Sequence, residues 1–394
     1  MSFVENTIGC SMATYIKLKI SSCRELLGDY NHFDKHRKVL HQDAFVLLPV
    51  VKVPQGELHR KLENICKYST KDEVTEQCQF EDQFSCNQKT LLMKKIQSKV
   101  PFEISDSLAK EIPDSWEFYG DLLLIGGGCF TDSCWTEHME AILDVICDVF
   151  HVKRVARKRA VTDDEFRSPK TDMLRGSDTW VSRKENGIVY HFDVTKSMFC
   201  SGNITEKLRI AKFDCSGETV VDLFAGIGYF TLPYLVHARA ERVVACEWNP
   251  ASVAALRHNL AAAGPGVAAR CAVLLGDNRA VCPRNVADRV NLGLIPTSAA
   301  SWRTACLALK DGGGLLHLHG NVECAKQADR RQEFESWAAA ACRSISQILA
   351  EVKNTSFCVT VSHVECVKSY APRIYHIVVD LKCDPCRETH LPNV

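Results

Sequence analysis

Neither sign of charge is in excess in this sequence: 48 lysines and arginines face 48 aspartates and glutamates over 394 residues. The field of the whole molecule therefore attracts no polyanion, and a nucleic acid would have to be met by a local basic patch. Long apolar runs are also lacking. None reaches the roughly 18 to 20 residues of a membrane-spanning helix, and the opening "MSFVENTIGCSMATYIKLKI" has no charged segment followed by a continuous apolar one. A soluble, unprocessed cytoplasmic protein is expected. Paired cysteines are scarce as well. The 20 cysteines run from Cys10 to Cys386, yet only Cys383 and Cys386 are close neighbours, so the sequence does not complete a four-thiolate zinc site and no metal is expected. They read as small buried hydrophobes of a reducing compartment. Internal repeats and low-complexity tracts are missing too.

What is present is ample core material. With 46% hydrophobic residues in 394, two or three globular units are expected. Residues 1–100 alternate apolar stretches such as "DAFVLLPVV" with polar ones and read as a small α+β region, a candidate for contacting a large substrate. Residues 101–200 read as an intermediate α+β domain: "IPDSWEFYGDLLLI" turns into a buried strand, and Met139, Ile142, Leu143, Ile146, Val149 and Phe150 share one helical face. The run "HVKRVARKRAV" brings together Lys153, Arg154, Arg157, Lys158 and Arg159. It reads either as a solvated surface or as a polyanion patch, and these five are the candidate nucleic-acid contacts. From 201 to 394 strand and helix patterns alternate, which favours a parallel sheet covered by helices.

The stretch "VVDLFAGIGYFTLPYL" (220–235) runs from an apolar strand through Asp222 into a turn containing Phe224, Ala225, Gly226 and Gly228, and then into a helix. A ligand can approach the backbone there, at the carboxyl end of the strand. Threonine at 231 breaks the dinucleotide fingerprint, and no Gly-Lys-Ser/Thr follows, so nicotinamide and nucleoside triphosphate sites are disfavoured. The next strand ends in "CEWNP", which puts Glu247, with Trp248 beside it, about twenty residues past the glycines, where a carboxylate can accept both hydroxyls of a ribose. The third strand ends in Asp277 and Asn278, suited to an adenine edge. Each feature alone has a bland reading, as a plain turn, a solvated acid or a helix cap. Together and in this order they recur in S-adenosylmethionine enzymes with a seven-stranded sheet. After the fourth strand, "NLGLIP" puts Asn291 and Pro296 at the expected mouth, as candidates for holding a planar substrate. "HLHG" sets His317 and His319 on one strand face, the start of a metal arm for which no third ligand is evident.

The segments "FDVTKSMFCSGNITEKLRIA", "VVDLFAGIGYFTLPYLVHA", "ACEWNP", "GDNR", "DRVNLGLIP" and "VKSYAPRIYHIVVDLKC" closely resemble the tRNA wybutosine-synthesizing protein 2 homologue family, and the resemblance spans roughly residues 110 to 385. It implies an α/β, Rossmann-like, seven-stranded S-adenosylmethionine-dependent methyltransferase fold with a smaller α+β N-terminal region. It also implies transfer of the 3-amino-3-carboxypropyl group, not the methyl group, to carbon 7 of 4-demethylwyosine beside the anticodon of phenylalanine tRNA. By resemblance, Lys207 touches S-adenosylmethionine and could pair with its methionine carboxylate, while Cys200 stands where the family usually has serine. Cysteine is the poorer hydrogen-bond partner.

Two alternatives remain open at this level. A tRNA guanine N1-methyltransferase shares the fold and the Asn-Pro feature, although its motif is typically Asn-Leu-Pro. A catalytically silent tRNA-binding module would keep the fold without forming product.

Overall fold

In the computed structural model, residues 3–6, 13–19, 40–42, 45–50, 88–159, 170–197, 199, 201–326 and 329–386 are described. They fall into two compact units that divide between 85 and 86. In the first, β1 (Phe3–Asn6), β2 (Ala13–Lys19), β3 (Leu40–Gln42) and β4 (Phe45–Val50) form an antiparallel sheet in the order β1-β2-β4-β3. The rest of the expected 1–100 region before Gln88 lies outside the described residues.

The second unit opens with α1 (Gln88–Gln97). The expected single strand near 116–125 is a hairpin, β5 (Trp116–Tyr119) and β6 (Leu122–Ile125), because Gly120 takes a left-handed φ of 61° and reverses the chain. Then come α2 (Met139–Phe150), β7 (Arg154–Lys158) and β8 (Thr171–Arg175), completing a sheet in the order β5-β6-β7-β8. The apolar face of α2 read from the sequence does pack: Ile142, Leu143, Ile146 and Phe150 are buried with Leu92 and Ile96 of α1 and with Leu123 and Val155 of the sheet. A second hairpin, β9 (Trp180–Glu185) with β10 (Ile188–Asp193), follows. Its Val181, Tyr190 and Phe192 share one core with Leu122, Ala156 and Val220, so the 101–200 and 201–394 segments are joined by common packing.

Next are α3 (Ile204–Ile210), β11 (Thr219–Asp222), α4 (Thr231–Val236), β12 (Arg242–Glu247), α5 (Pro250–Ala262), β13 (Cys271–Leu275), β14 (Arg289–Leu292), α6 (Trp302–Ala308), β15 (Gly314–Glu323), α7 (Arg330–Val352), β16 (Phe357–Ala371) and β17 (Ile374–Pro385). The seven strands order as β13-β12-β11-β14-β15-β17-β16. The first five are parallel, and β17 enters antiparallel between β15 and β16. This is the expected seven-stranded fold. Chain order reverses between β11 and β14, and in open α/β sheets such a switch point leaves a crevice beyond the strand ends. The near-continuous apolar strands reflect burial on both faces: Val220, Val221, Val243, Val290 and Leu292 are essentially inaccessible. Among the described residues, no helix is long and apolar enough to cross a membrane.

One buried polar chain crosses this sheet. Arg209 of α3 bonds both oxygens of Glu206 and reaches Asp380 of β17 at 2.6 Å. Asp380 meets Nδ1 of His317 on β15 at 2.5 Å, and Nε2 of His317 lies 2.9 Å from Arg289 of β14, which also binds Glu218. Arginine can only donate, so Nε2 accepts and Nδ1 carries the proton toward Asp380. His317 is thus neutral, in line with burial holding it below the ordinary histidine range. Burial opposes ionisation of Asp380, but His317 and Arg209 outweigh it and keep the carboxyl well below its usual range.

Arg209→Met would leave two buried carboxylates without their shared cation. A loss of about 3–5 kcal/mol in unfolding free energy is expected, measured by urea denaturation at neutral pH. A loss below about 1 kcal/mol would show that the chain carries no weight.

Candidate functional site

At the end of β11 Asp222 is fully buried, and burial pushes its carboxyl above the ordinary range even though Asn291 and Thr231 donate to it at 3.0 and 2.7 Å. The turn that follows needs glycine for geometric reasons. Gly226 and Gly228 have φ of 54° and 103°, and a Cβ on Gly226 would lie 2.5 Å from the ring of Tyr229. The amide of Gly226 then donates to Oε2 of Glu247, 2.8 Å away, at the tip of β12. The other oxygen, Oε1, accepts from the Asn249 amide at 2.8 Å. Burial raises the Glu247 pKa, and the Asn249 and Gly226 amides partly offset this. A carboxylate offers about four lone-pair sites, so with the Trp248 amide also acting on it some acceptor capacity is left for a ligand.

These groups line a cavity of about 620 Å³ beyond the strand ends at the switch point, within the range of roughly 300–1,000 Å³ common for small-molecule sites. It is lined by Phe224, Gly226, Tyr229, Glu247, Trp248 and Asp277, by the Gly293–Ile295 segment with Thr297 and Ser298, and by Lys196, Asn203, Lys368 and Tyr370. Asp277 caps the short helix Asn278–Val281 and pairs with Arg279, which lowers its pKa. A second hollow of about 600 Å³, bordered by Gly127, Phe130, Thr131, Arg157 and Arg159, shares no residue with the first.

Two family models match within the second unit. Residues 181–344 match the TRM5/TYW2 methyltransferase domain, and residues 96–179 match the TYW2 N-terminal domain. The tRNA wybutosine-synthesizing protein 2 homolog of Danio rerio is 41% identical over 376 residues, covering 88% of this chain and 91% of that protein. The chain belongs to the tRNA wybutosine-synthesizing protein 2 family. The Bos taurus homolog is 42% identical over 323 residues, 72% of this chain and 73% of that protein. A solved structure of P. horikoshii TYW2 in complex with MeSAdo is 31% identical, with a TM-score of 0.57 over 75% of this chain and 99% of that one.

The glycine turn, Glu247, Trp248, Asp277 and Asn278 surround one cavity, although Ala225 sits beneath it, fully buried. Asp222 is likewise below the surface, where it braces the turn and β14. The side chain of Asn278 is engaged by the protein, donating to the Leu223 carbonyl at 3.0 Å and accepting from Ser301 at 2.8 Å. Cys200 lies outside the described residues.

Several residues expected from the sequence to face a ligand are placed elsewhere. Asn291 is not at the mouth: register pairs it with Asp222, and its amide satisfies that carboxylate. Pro296 is exposed and off the cavity wall, its carbonyl accepting from Asn321, while Ile295 and Thr297 on either side do line the cavity. Lys207 of the family motif is 1% exposed and paired with Glu185 of β9, with its ammonium 4.6 Å from the Phe199 ring centre and 5.4 Å from that of Tyr229.

The basic run also differs from a single patch, because strand alternation splits it between two faces and acids distant in sequence meet it. Arg154 pairs with Asp121 and donates to the Asp178 and Trp180 carbonyls, Arg157 donates to the Cys129 and Phe130 carbonyls, Lys158 pairs with Glu117 and Arg159 with Asp172. Lys153 is exposed. His317 and His319 are in the core, the latter 3.1 Å from His376, and no group of three metal ligands occurs among the described residues.

Sequence reasoning missed Asn203, Lys368 and Tyr370 as cavity residues. A signal was available in "VKSYA", where a cation and an aromatic two positions apart share one face of an edge strand.

Proposed function

We propose that this chain transfers the 3-amino-3-carboxypropyl group of S-adenosylmethionine to carbon 7 of 4-demethylwyosine, beside the anticodon of phenylalanine tRNA, in the cytoplasmic synthesis of wybutosine. The observation that carries the reading is the switch-point cavity, with Glu247 fixed by two backbone amides at its rim, in a member of this family.

The residues present fit the donor. Glu247 holds the ribose hydroxyls through its remaining lone pairs, and Gly226 permits close approach of the nucleoside to the backbone. The Asn278 side chain is engaged within the protein, so the acceptor for the adenine amine is Asp277 of the cavity lining, whose partner Arg279 is an exposed side chain able to release it. When bound, the donor supplies an electrophilic γ-carbon, whose bond to sulfur breaks with its electrons to sulfur as carbon 7 attacks and gives up its proton, leaving methylthioadenosine. The protein's part is orientation: of the three carbons on the sulfonium, the one presented to the acceptor reacts, and this is proximity catalysis. Trp248 and Tyr370, both more than a third exposed at the cavity, offer faces on which an unstacked tricyclic base can rest. Lys153, Lys158 and Arg159 on the exposed surface serve as phosphate contacts, which makes tRNA affinity fall with salt.

Two outcomes follow. After incubation with S-adenosylmethionine, a nuclease digest of phenylalanine tRNA carrying 4-demethylwyosine should gain the mass of the aminocarboxypropyl group and release methylthioadenosine. A methyl gain would instead establish the methyltransferase. Glu247→Ala should weaken S-adenosylmethionine binding by about tenfold or more, since the loss of hydrogen bonds to a charged acceptor costs about 1.5–3 kcal/mol. In the unaltered protein affinity should fall as pH drops through the raised Glu247 pKa, above the usual glutamate range, because the protonated carboxyl is the poorer acceptor. Calorimetric titration across pH checks both, and unchanged affinity in the variant would remove Glu247 from the site.

A further inference from the structure

The hollow bordered by Arg157 and Arg159 takes no part in holding the donor, yet it is built as ligand sites are. β6 and β7 run parallel, with Ile125 beside Arg157, and the hollow lies past their carboxyl ends, the side on which parallel sheets bind ligands. The chain leaving β6 folds tightly over the end of β7. A Cβ on Gly127 would lie 2.7 Å from the Lys158 carbonyl oxygen, so this approach requires glycine. Glu111 pins the loop, accepting from the Thr131 and Asp132 amides at 2.6 and 2.9 Å and from the Trp135 indole at 3.1 Å. Phe130 is held at a left-handed φ of 52°, uncommon for an aromatic residue. Its carbonyl and that of Cys129 accept from Nη1 of Arg157 at 2.9 and 3.0 Å. The hollow is thus preformed, as small-molecule sites usually are.

Its lining is amphipathic. Phe130, Met139 and Leu174 supply an apolar floor, Thr131 and Thr136 supply hydroxyls, and the two arginines supply guanidinium groups. Asp172 serves both arginines, but Arg157 approaches it only to 3.8 Å. The acid of the lining itself, Asp132, accepts from the Cys134 amide at 2.9 Å and caps the short helix Ser133–His138. A flat ring carrying a phosphate matches this set: guanidinium forks pair with phosphate oxygens, and the ring covers the floor that a bare phosphate would leave empty. The cationic surface also continues beyond the hollow. The Arg159 amide donates to the Lys170 carbonyl at 2.6 Å, and both side chains are exposed. Such a continuation suits a nucleic-acid strand over a lone nucleotide.

Resting on the reading that this chain acts on tRNA, we infer that the hollow takes one unpaired nucleotide of that strand, other than the one that reacts, with its phosphate on Arg157 and Arg159 and its base on the apolar floor. Bases of RNA loops are commonly splayed out and held in this way. Two nucleotides held in separate cavities fix the strand between them, so the second site positions the reacting base without touching the donor.

The test separates a nucleotide seated in the hollow from a phosphate resting on its rim. Thr136→Trp and Thr131→Trp each fill the hollow and leave both arginines in place, while Arg159→Gln removes a cation and leaves the hollow open. All three positions are exposed, and the inference is judged on the filling variants that keep the S-adenosylmethionine affinity of the unaltered full-length protein. Binding of fluorescently labelled phenylalanine tRNA carrying 4-demethylwyosine is read by anisotropy over a salt series, and adenosine monophosphate is the mononucleotide probe. The filling variants should weaken tRNA by about tenfold. Arg159→Gln should weaken it too and lower the slope of log affinity against log salt by about one. Unchanged tRNA affinity in the filling variants would overturn the inference even if Arg159→Gln changed the slope, because the cation would then be a surface contact. Adenosine monophosphate binding that the filling variants abolish, with tRNA affinity intact, would overturn it as well and give the hollow to a free nucleotide. Failure of aminocarboxypropyl transfer with tRNA still bound would remove the proposed reaction and leave this test standing, whereas a chain that bound no tRNA would end both.

Discussion

A single buried hydrogen bond, from the Asn291 amide to the Asp222 carboxylate, spans the point where the sheet reverses its order. β11 and β14 are neighbours there, and the crevice opens because their connections leave in opposite directions. Asp222 also accepts from Thr231, the first residue of α4, so one side chain fixes two strands and the helix that ends the glycine turn. Burial opposes its ionisation, and the two donors reduce that cost. With this joint set, the amide of Gly226 meets Glu247 across the strand tips, and the cavity wall is complete.

The second constraint is electrostatic. Glu206, Arg209, Asp380, His317, Arg289 and Glu218 form one continuous buried chain from α3 through β17 and β15 to β14. It fixes α3 relative to the sheet, and α3 begins directly after Asn203. Lys207, on the same helix, ties α3 to β9 through Glu185. The position of Asn203 at the cavity therefore depends on charges that do not line it. Paired charges of this kind contribute weakly to net stability but are costly to break singly, which suits a device that holds geometry.

How far the sequence foretold the molecule depends on the range of the interaction that decides each feature. Strands, the glycine turn and Glu247 were readable because local pattern sets them: both-face burial gives unbroken apolar strands, and positive φ selects glycine at 226 and 228. Asn291 and Lys207 were read as facing a ligand, since nothing nearby in sequence shows that Asp222 and Glu185 claim them. The basic run failed as one patch for the same reason, its acids being Asp121, Glu117 and Asp172 on other strands. Lys368 and Tyr370 were legible only as a cation and an aromatic two positions apart on an edge strand, and the two register shifts beside them in β16 are set by pairing with β17 that composition does not carry.

The central claim is that the switch-point cavity takes the nucleoside of S-adenosylmethionine, with its ribose on Glu247. Its most direct test is a crystal structure of the chain with S-adenosylmethionine bound. The account expects both ribose hydroxyls within hydrogen-bond reach of the Glu247 carboxylate and the adenine edge toward Asp277. A nucleoside bound elsewhere, or one lying in this cavity with its ribose away from Glu247, would contradict it.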